Sequence, residues 1–198
     1  MSDFKHFANV ELAGKIENKP RGFNSGNQAN FLVSVCSENK KSYLIATAWQ
    51  GLAKKILSEF GQNDLVHLGG EIRKMQNGHE IVVGSIQKTA DTKQFLRVNL
   101  QGNLIQNQVQ YGKTKDFRPF VKFFVEVKRP KSSIFFTVKP SPMDDFAANC
   151  LENLKTGDFV KISGELRTCT YTKDGVKTHG LEIFPDDVEK FGGENEKL

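Results

Sequence analysis

One pair of motifs occurs twice in this chain, in the same order. Val10-Glu11-Leu12-Ala13-Gly14-Lys15-Ile16 is followed by Asn63-Asp64-Leu65-Val66-His67-Leu68-Gly69-Gly70-Glu71-Ile72-Arg73. Val98-Asn99-Leu100-Gln101-Gly102-Asn103-Leu104 is followed by Gly157-Asp158-Phe159-Val160-Lys161-Ile162-Ser163-Gly164-Glu165-Leu166-Arg167. Gly14 and Gly102 lie 88 residues apart, and Asp64 and Asp158 lie 94 apart, so the second copy carries a few extra loop residues. A period this long marks a duplicated domain with a core of its own, not a solenoid unit that needs neighbours. The expected division is a first domain over 1–90, a second over 91–184, and an acidic, flexible tail over 185–198.

With 198 residues, 38% of them hydrophobic, the chain can bury two cores. Its net charge of +5 is uneven: residues 1–90 carry +3, 91–184 carry +5 and the last fourteen carry −3. A basic body suits a polyanionic partner, although a pI near 9.0 does not by itself identify one. The three cysteines are an odd number without a C-x-x-C pair, which speaks against a disulfide framework and a cysteine zinc site. The four histidines are scattered, so neither metal nor cofactor is expected. No apolar run approaches the ~20 residues that cross a bilayer, and the first residues lack a signal peptide's apolar stretch. A soluble, cytoplasmic protein without a membrane partner is the expectation.

Period-two alternation at Val10, Leu12, Gly14 and Ile16 predicts a half-buried strand. A loop dense in turn residues follows over Asn18–Asn27, then strands through Phe31–Val35 and Ser42–Trp49. Leu52, Ala53, Ile56, Leu57 and Phe60 are spaced for one amphipathic helix that Gly61 stops. Strands over Leu65–Lys74 and Glu80–Ile86 flank Asn77-Gly78, a hairpin signal. The second copy repeats the order with Val98–Leu104, Val121–Val127, Ser133–Lys139, a helix near Asp145–Leu154, Phe159–Thr172 and Thr178–Ile183. Three strands, a helix and a hairpin is the order of the oligonucleotide-binding (OB) fold, so the predicted class is all-β, two tandem OB barrels each with one short helix.

The strand Ser42–Trp49 puts compact Leu44, Ala46 and Ala48 on one face and Tyr43 and Trp49 on the other. Exposed rings on a barrel strand form a stacking platform for bases. The competing reading of Trp49 is packing beneath the helix. In the second copy Phe135 keeps that outer place, Lys122, Phe124 and Lys128 line the back of an apolar series, and Tyr111, Phe117 and Tyr171 fall in or near loops. The first loop adds Arg21 and Phe23, and the hairpins add Arg73, Lys74, Arg167, Lys173 and Lys177; Lys15 lies on the first strand. Cations interleaved with rings suit a flexible single strand of nucleic acid. No nucleophile elbow, P-loop or dinucleotide fingerprint is present, so no catalytic residue and no enzyme activity are expected.

On these residues the first copy resembles the bacterial single-stranded DNA-binding protein family. The likeness lies in Val10–Ile16, Pro20-Arg21-Gly22-Phe23, Trp49-Gln50-Gly51-Leu52-Ala53-Lys54 and Asp64–Arg73. The second copy resembles it mainly in Gly157–Thr168 and the following hairpin. The resemblance implies stacking of bases on Trp49, Tyr43 and Tyr171. It also implies four-barrel assemblies, hence a homodimer of this chain. In the second copy Pro140-Ser141-Pro142-Met143 stands where the first has its aromatic phrase, and the end of the chain lacks the family's run of aspartates.

The expected function is coating and protecting single-stranded DNA in replication, recombination or repair, with little sequence specificity. Proteins of those processes are possible partners, and a location at the nucleoid or replication sites follows. The competing reading is an OB-fold protein-interaction module with weak DNA binding. Pattern alone leaves RNA and DNA unseparated.

Overall fold

A computed structural model describes residues 5–37, 40–76, 78–105, 112–113, 119–120, 122–130, 132–140, 150, 152–173 and 175–191. Outside them lie Asn77, Tyr111, Phe117, residues 141–143, most of the helix expected over Asp145–Leu154, and 192–198, as do the side chains of Lys173 and Lys177. The chain divides into two compact units. One comprises Asn9–Arg97 with Lys173–His179, and the other Met1–Ala8, Val98–Thr172 and Gly180–Leu198.

The N-terminal unit is built from β1 (Phe7–Ile16), β2 (Arg21–Phe23), a single 3-10 turn (Asn24–Gly26), β3 (Gln28–Ser37), β4 (Lys40–Trp49), α1 (Gln50–Glu59), β5 (Leu65–Met75) and β6 (Gly78–Lys88). β1 pairs antiparallel with both β3 and β5, β3 with β4, and β5 with β6. The parallel pair β4 with β6 then closes the ring. Five strands closed in this order are an OB barrel. Alternate residues point inward, and Leu12, Ile16, Phe31, Val33, Leu44, Ala46, Leu68, Ile72 and Ile81 form the core. From α1, Ala53 and Ile56 are buried against this unit.

The C-terminal unit repeats the ring with β7 (Phe95–Leu104), β10 (Phe123–Arg129), β11 (Ser132–Val138), β12 (Phe159–Lys173) and β13 (Val176–Phe191). A two-stranded ribbon, β8 (Gly112–Lys113) with β9 (Pro119–Phe120), lies between β7 and β10 in sequence. β7 pairs with β10, β10 with β11 and, in parallel, β11 with β13, while β12 adjoins both β13 and β7. Leu100, Leu104, Phe123, Val125, Val127, Ile134, Phe136, Val138 and Ile162 are buried at its centre. Cys150, Glu152 and Asn153 are helical, and the Leu154 N–H donates to the Cys150 carbonyl at 3.2 Å.

The repeated residues have matching jobs. A Cβ at Gly14 would sit 2.5 Å from the Ser34 carbonyl oxygen, and one at Gly102 would meet that of Glu126, so both first strands need glycine to approach the next strand. Asp64 accepts the Gly61 N–H at 2.8 Å and pairs with Lys88 at 2.9 Å. Asp158 accepts the Lys155 N–H at 2.7 Å and pairs with Lys190 at 2.9 Å. Each aspartate thus ties the turn before the fourth strand of its barrel to the last strand.

One expectation is corrected here. Residues 185–191 belong to β13, not to a tail. Their charge, which reads as a solvated end, is used across the hairpin: Lys161 pairs with Glu189 at 3.3 Å and Lys190 with Asp158, while Val188 is fully buried. Among the described residues no helix is long and apolar enough to cross a membrane, and no cluster of His, Cys, Asp or Glu could hold a metal ion.

Candidate nucleic-acid interface

Residues opposite one another in paired strands point to the same face, so the registers of the N-terminal barrel define its outer surface row by row. Phe23, Gln28 and Trp49 form one row, and Arg21, Asn30, Thr47, Val82 and Glu71 the next. Leu32, Ile45, Glu80 and Arg73 form a third, and Lys15, Ser34 and Tyr43 a fourth. Five of the expected contact residues besides Phe23 therefore share one face: Lys15, Arg21, Tyr43, Trp49 and Arg73. Lys74 does not, because it stands opposite His79 on the reverse of the β5–β6 hairpin.

Four large apolar side chains on this face stand in water: Phe23 at 48% exposure, Tyr43 at 50%, Ile45 at 41% and Trp49 at 47%. Exposed apolar side chains gathered on one face are a feature that binding surfaces share. Trp49 ends β4 and is not packed beneath α1. Gln50 turns the chain there with a left-handed backbone (φ 54°), and its N–H donates to the Asn27 carbonyl at 2.7 Å. Thr47 belongs to the same face by parity yet is buried, its hydroxyl donating to Glu80 at 2.5 Å. Asn24, Gln28 and Asn30 form an amide ladder on β3 and its approach, with bonds of 2.9 and 3.0 Å.

Cation placement is more selective than the sequence suggests. Arg21 is exposed and has no carboxylate partner among the described residues. Arg73 is 56% exposed and reaches Glu71 at 3.3 Å. Lys15 pairs with Glu17 at 3.7 Å. Glu17 is a residue that sequence reasoning passed over: it accepts the Ser34 hydroxyl at 2.5 Å and binds Lys41 at 2.8 Å. The Lys41 bond, seconded by Ser34, holds the Glu17 carboxyl down at about 2. Lys41 in turn lies 5.0 Å from the Tyr43 ring centre, a cation set beside an exposed ring. Its signal was in the sequence, two residues before Tyr43 on the same strand face.

The outer face of the C-terminal barrel has fewer rings. Phe135 and Tyr171 are each 48% exposed, while Phe124 is half-buried with Lys122 4.9 Å from its ring centre. Glu126, which the sequence reading did not use, stands directly opposite Phe135. Thr137 faces Glu182, which holds Lys139 at 2.6 Å. Tyr171 lies against Gly180, where a Cβ would come 2.9 Å from the ring. Arg167 is only 16% exposed, binds Glu165 at 2.7 Å and packs 4.4 Å from the Phe184 ring centre. It therefore braces the hairpin, a structural task that the matched position of Arg73 did not foretell. Lys173 is placed on β12, with its side chain outside the described set.

Two closed five-stranded rings in one chain define a tandem OB-fold protein. No protein-family model matches the chain, and no curated protein matches it in sequence. Among solved structures it is similar to the wild-type single-stranded DNA binding protein from Thermus aquaticus, at a TM-score of 0.70 and 14% identity over 98% of both chains. A deletion mutant of that protein matches at 0.69 and 16% identity, over 96% of this chain and 98% of the other. The tandem form of the fold expected from the sequence is the form found.

Proposed function

We propose that this chain is a non-catalytic protein that binds and coats single-stranded DNA, chiefly through the outer face of its N-terminal barrel. The observation that carries the reading is the exposure of Phe23, Tyr43, Ile45 and Trp49 on one face beside Arg21, which has no carboxylate partner among the described residues. Rings offer sequence-tolerant stacking of about 1–3 kcal/mol per base, and cations neutralise phosphates. The likeness to the Thermus aquaticus single-stranded DNA binding protein supports the same ligand. Phe135, Tyr171, Phe124 and Lys122 extend the contact on the C-terminal barrel. A homodimer presenting four barrels, acting in replication, recombination or repair with proteins of those processes, completes the proposal.

The chain has one tryptophan, so its fluorescence reports Trp49 alone. Titration with a thymidine oligomer should quench it, and affinity should fall steeply as salt is raised. Unchanged fluorescence at saturating oligomer, or binding indifferent to salt, rejects this face as the binding surface; a stable complex with a protein in place of DNA would favour the interaction-module reading.

A further inference from the structure

Lys15 and Lys41 reach the same atom. Both ammonium groups approach Oε1 of Glu17, at 3.7 and 2.8 Å, from strands on opposite sides of β3. Beneath them the buried Ser34 hydroxyl donates to that oxygen as well. Glu17 is itself fixed by its backbone, whose N–H donates to the Leu32 carbonyl at 2.8 Å and whose carbonyl accepts the Gln62 amide at 3.0 Å. The carboxylate is 21% exposed against 34% for Lys15 and 38% for Lys41, so the negative charge lies inside and the positive ones outside. Two cations on one carboxylate leave a surplus of one positive charge, and among the described residues no second carboxylate pairs with either lysine. Each ammonium group has three donors, and two such groups held at one oxygen are close enough to share a second anion on their open side. Lys41 sets the surplus 5.0 Å from the Tyr43 ring centre.

We infer that Lys15 and Lys41 form a two-lysine clamp for one backbone phosphate of the bound strand, with Glu17 as the positioning residue that sets both ammonium groups. The inference rests on the single-stranded DNA reading and gives it a phosphate seat next to the Tyr43 ring, so that one nucleotide meets both. A lysine is a charge on a flexible stem, and ordering that stem weakens binding. The bonds to Glu17 complete part of the ordering before the strand arrives. The carboxylate also sets a rule of charge: with Glu17 in place either lysine alone is cancelled, and only the two together leave a cation for the phosphate. The lysines are therefore needed jointly, unlike Arg21, whose charge no described carboxylate offsets.

The test follows a labelled thymidine oligomer on the full chain across salt concentrations, with the melting temperature measured beside it. Lys15→Gln and Lys41→Gln should each make the slope of log affinity against log salt shallower by roughly 0.7–1, the share of one phosphate, and the double lysine variant by little more. At about 0.1 M salt each of the three should bind roughly 5- to 10-fold more weakly. Adding Glu17→Gln to Lys41→Gln releases the charge of Lys15 and should recover most of the slope, which a purely structural ion pair would not do. Lys41→Gln that melts lower yet keeps the natural slope overturns the clamp, as does a double lysine variant that loses twice what each single one does. A slope that Glu17→Gln fails to recover overturns it too. On the unaltered chain, saturating oligomer should shield both lysines from an amine-acylating reagent, read by mass spectrometry. Undiminished labelling of either lysine overturns the clamp even if every variant fails to fold, and absence of binding by the unaltered chain overturns the DNA reading as well.

Discussion

On β4 of the N-terminal barrel, Tyr43, Ile45 and Trp49 are exposed in series, with Phe23 in the row of Trp49 and, in the next row, Arg21, which has no carboxylate partner among the described residues. On β11 of the C-terminal barrel, Phe135 is the exposed ring, Glu126 faces it, and Glu182 has taken Lys139 for itself. The rings of strands beneath are the same in order and closure. Duplication preserved what a barrel needs to close, the glycine on the first strand and the aspartate before the fourth, because a Cβ or a lost turn bond there damages either copy alike. It did not preserve the outward positions, where a side chain costs the fold little. The two faces were therefore free to diverge, one toward stacking and the other toward ion pairing.

The largest effect should separate the two faces directly. Trp49→Ala should weaken thymidine-oligomer binding by about 1–3 kcal/mol, roughly 5- to 150-fold, whereas Phe135→Ala, beside Glu126, should cost less than half of that free energy. Fluorescence anisotropy of a labelled oligomer measures both, and a Phe135 loss equal to that of Trp49 would abolish the distinction. Next in size is the contrast between two arginines. Arg21→Ala should lower the slope of log affinity against log salt by about one. Arg167→Ala should leave that slope alone and lower the melting temperature, because its guanidinium is held by Glu165 and packed on Phe184.

The smallest effect concerns Glu17. Its carboxyl is held at about 2, below its ordinary value of 4.5, so it binds fewer protons folded than unfolded in between. The stability this gives is complete above pH 4.5 and is lost as pH falls toward 2. Glu17→Gln should be less stable than the natural chain at neutral pH, and the two should converge between pH 4.5 and 2 in acid-unfolding curves. A constant gap across that window would mean that Glu17 acts through shape, not charge.

The barrel order was legible in the sequence because period two and turn residues survive without neighbours, as Val10 to Ile16 and Phe31 to Val35 show. Outward rings were legible by parity: Leu44, Ala46 and Ala48 are buried while Tyr43 and Trp49 are exposed. What parity cannot give is the partner across the strand. Thr47 shares the parity of Trp49 yet is covered, because Glu80 reaches it from β6. Arg73 and Arg167 look equivalent in sequence, and only the Phe184 ring beside the second one separates them. The charged stretch after Phe184 misled for the same reason, since Glu189 finds Lys161 on β12 and Lys190 finds Asp158 just before it.

Each barrel is shut by a parallel pair between its third and last strands, Thr47 beside Val82 and Thr137 beside Glu182. Such contacts join residues far apart along the chain, so neither ring can complete itself until its whole copy is available. Until then β4 or β11 presents an open edge, and a tandem chain holds two similar final strands that could each be drawn to the wrong one. The unlike partners at those edges, Thr47 with Val82 in one copy and Thr137 with Glu182 in the other, give each third strand a reason to wait for its own. Divergence of the outer faces thus bears on how the chain assembles as well as on what it holds.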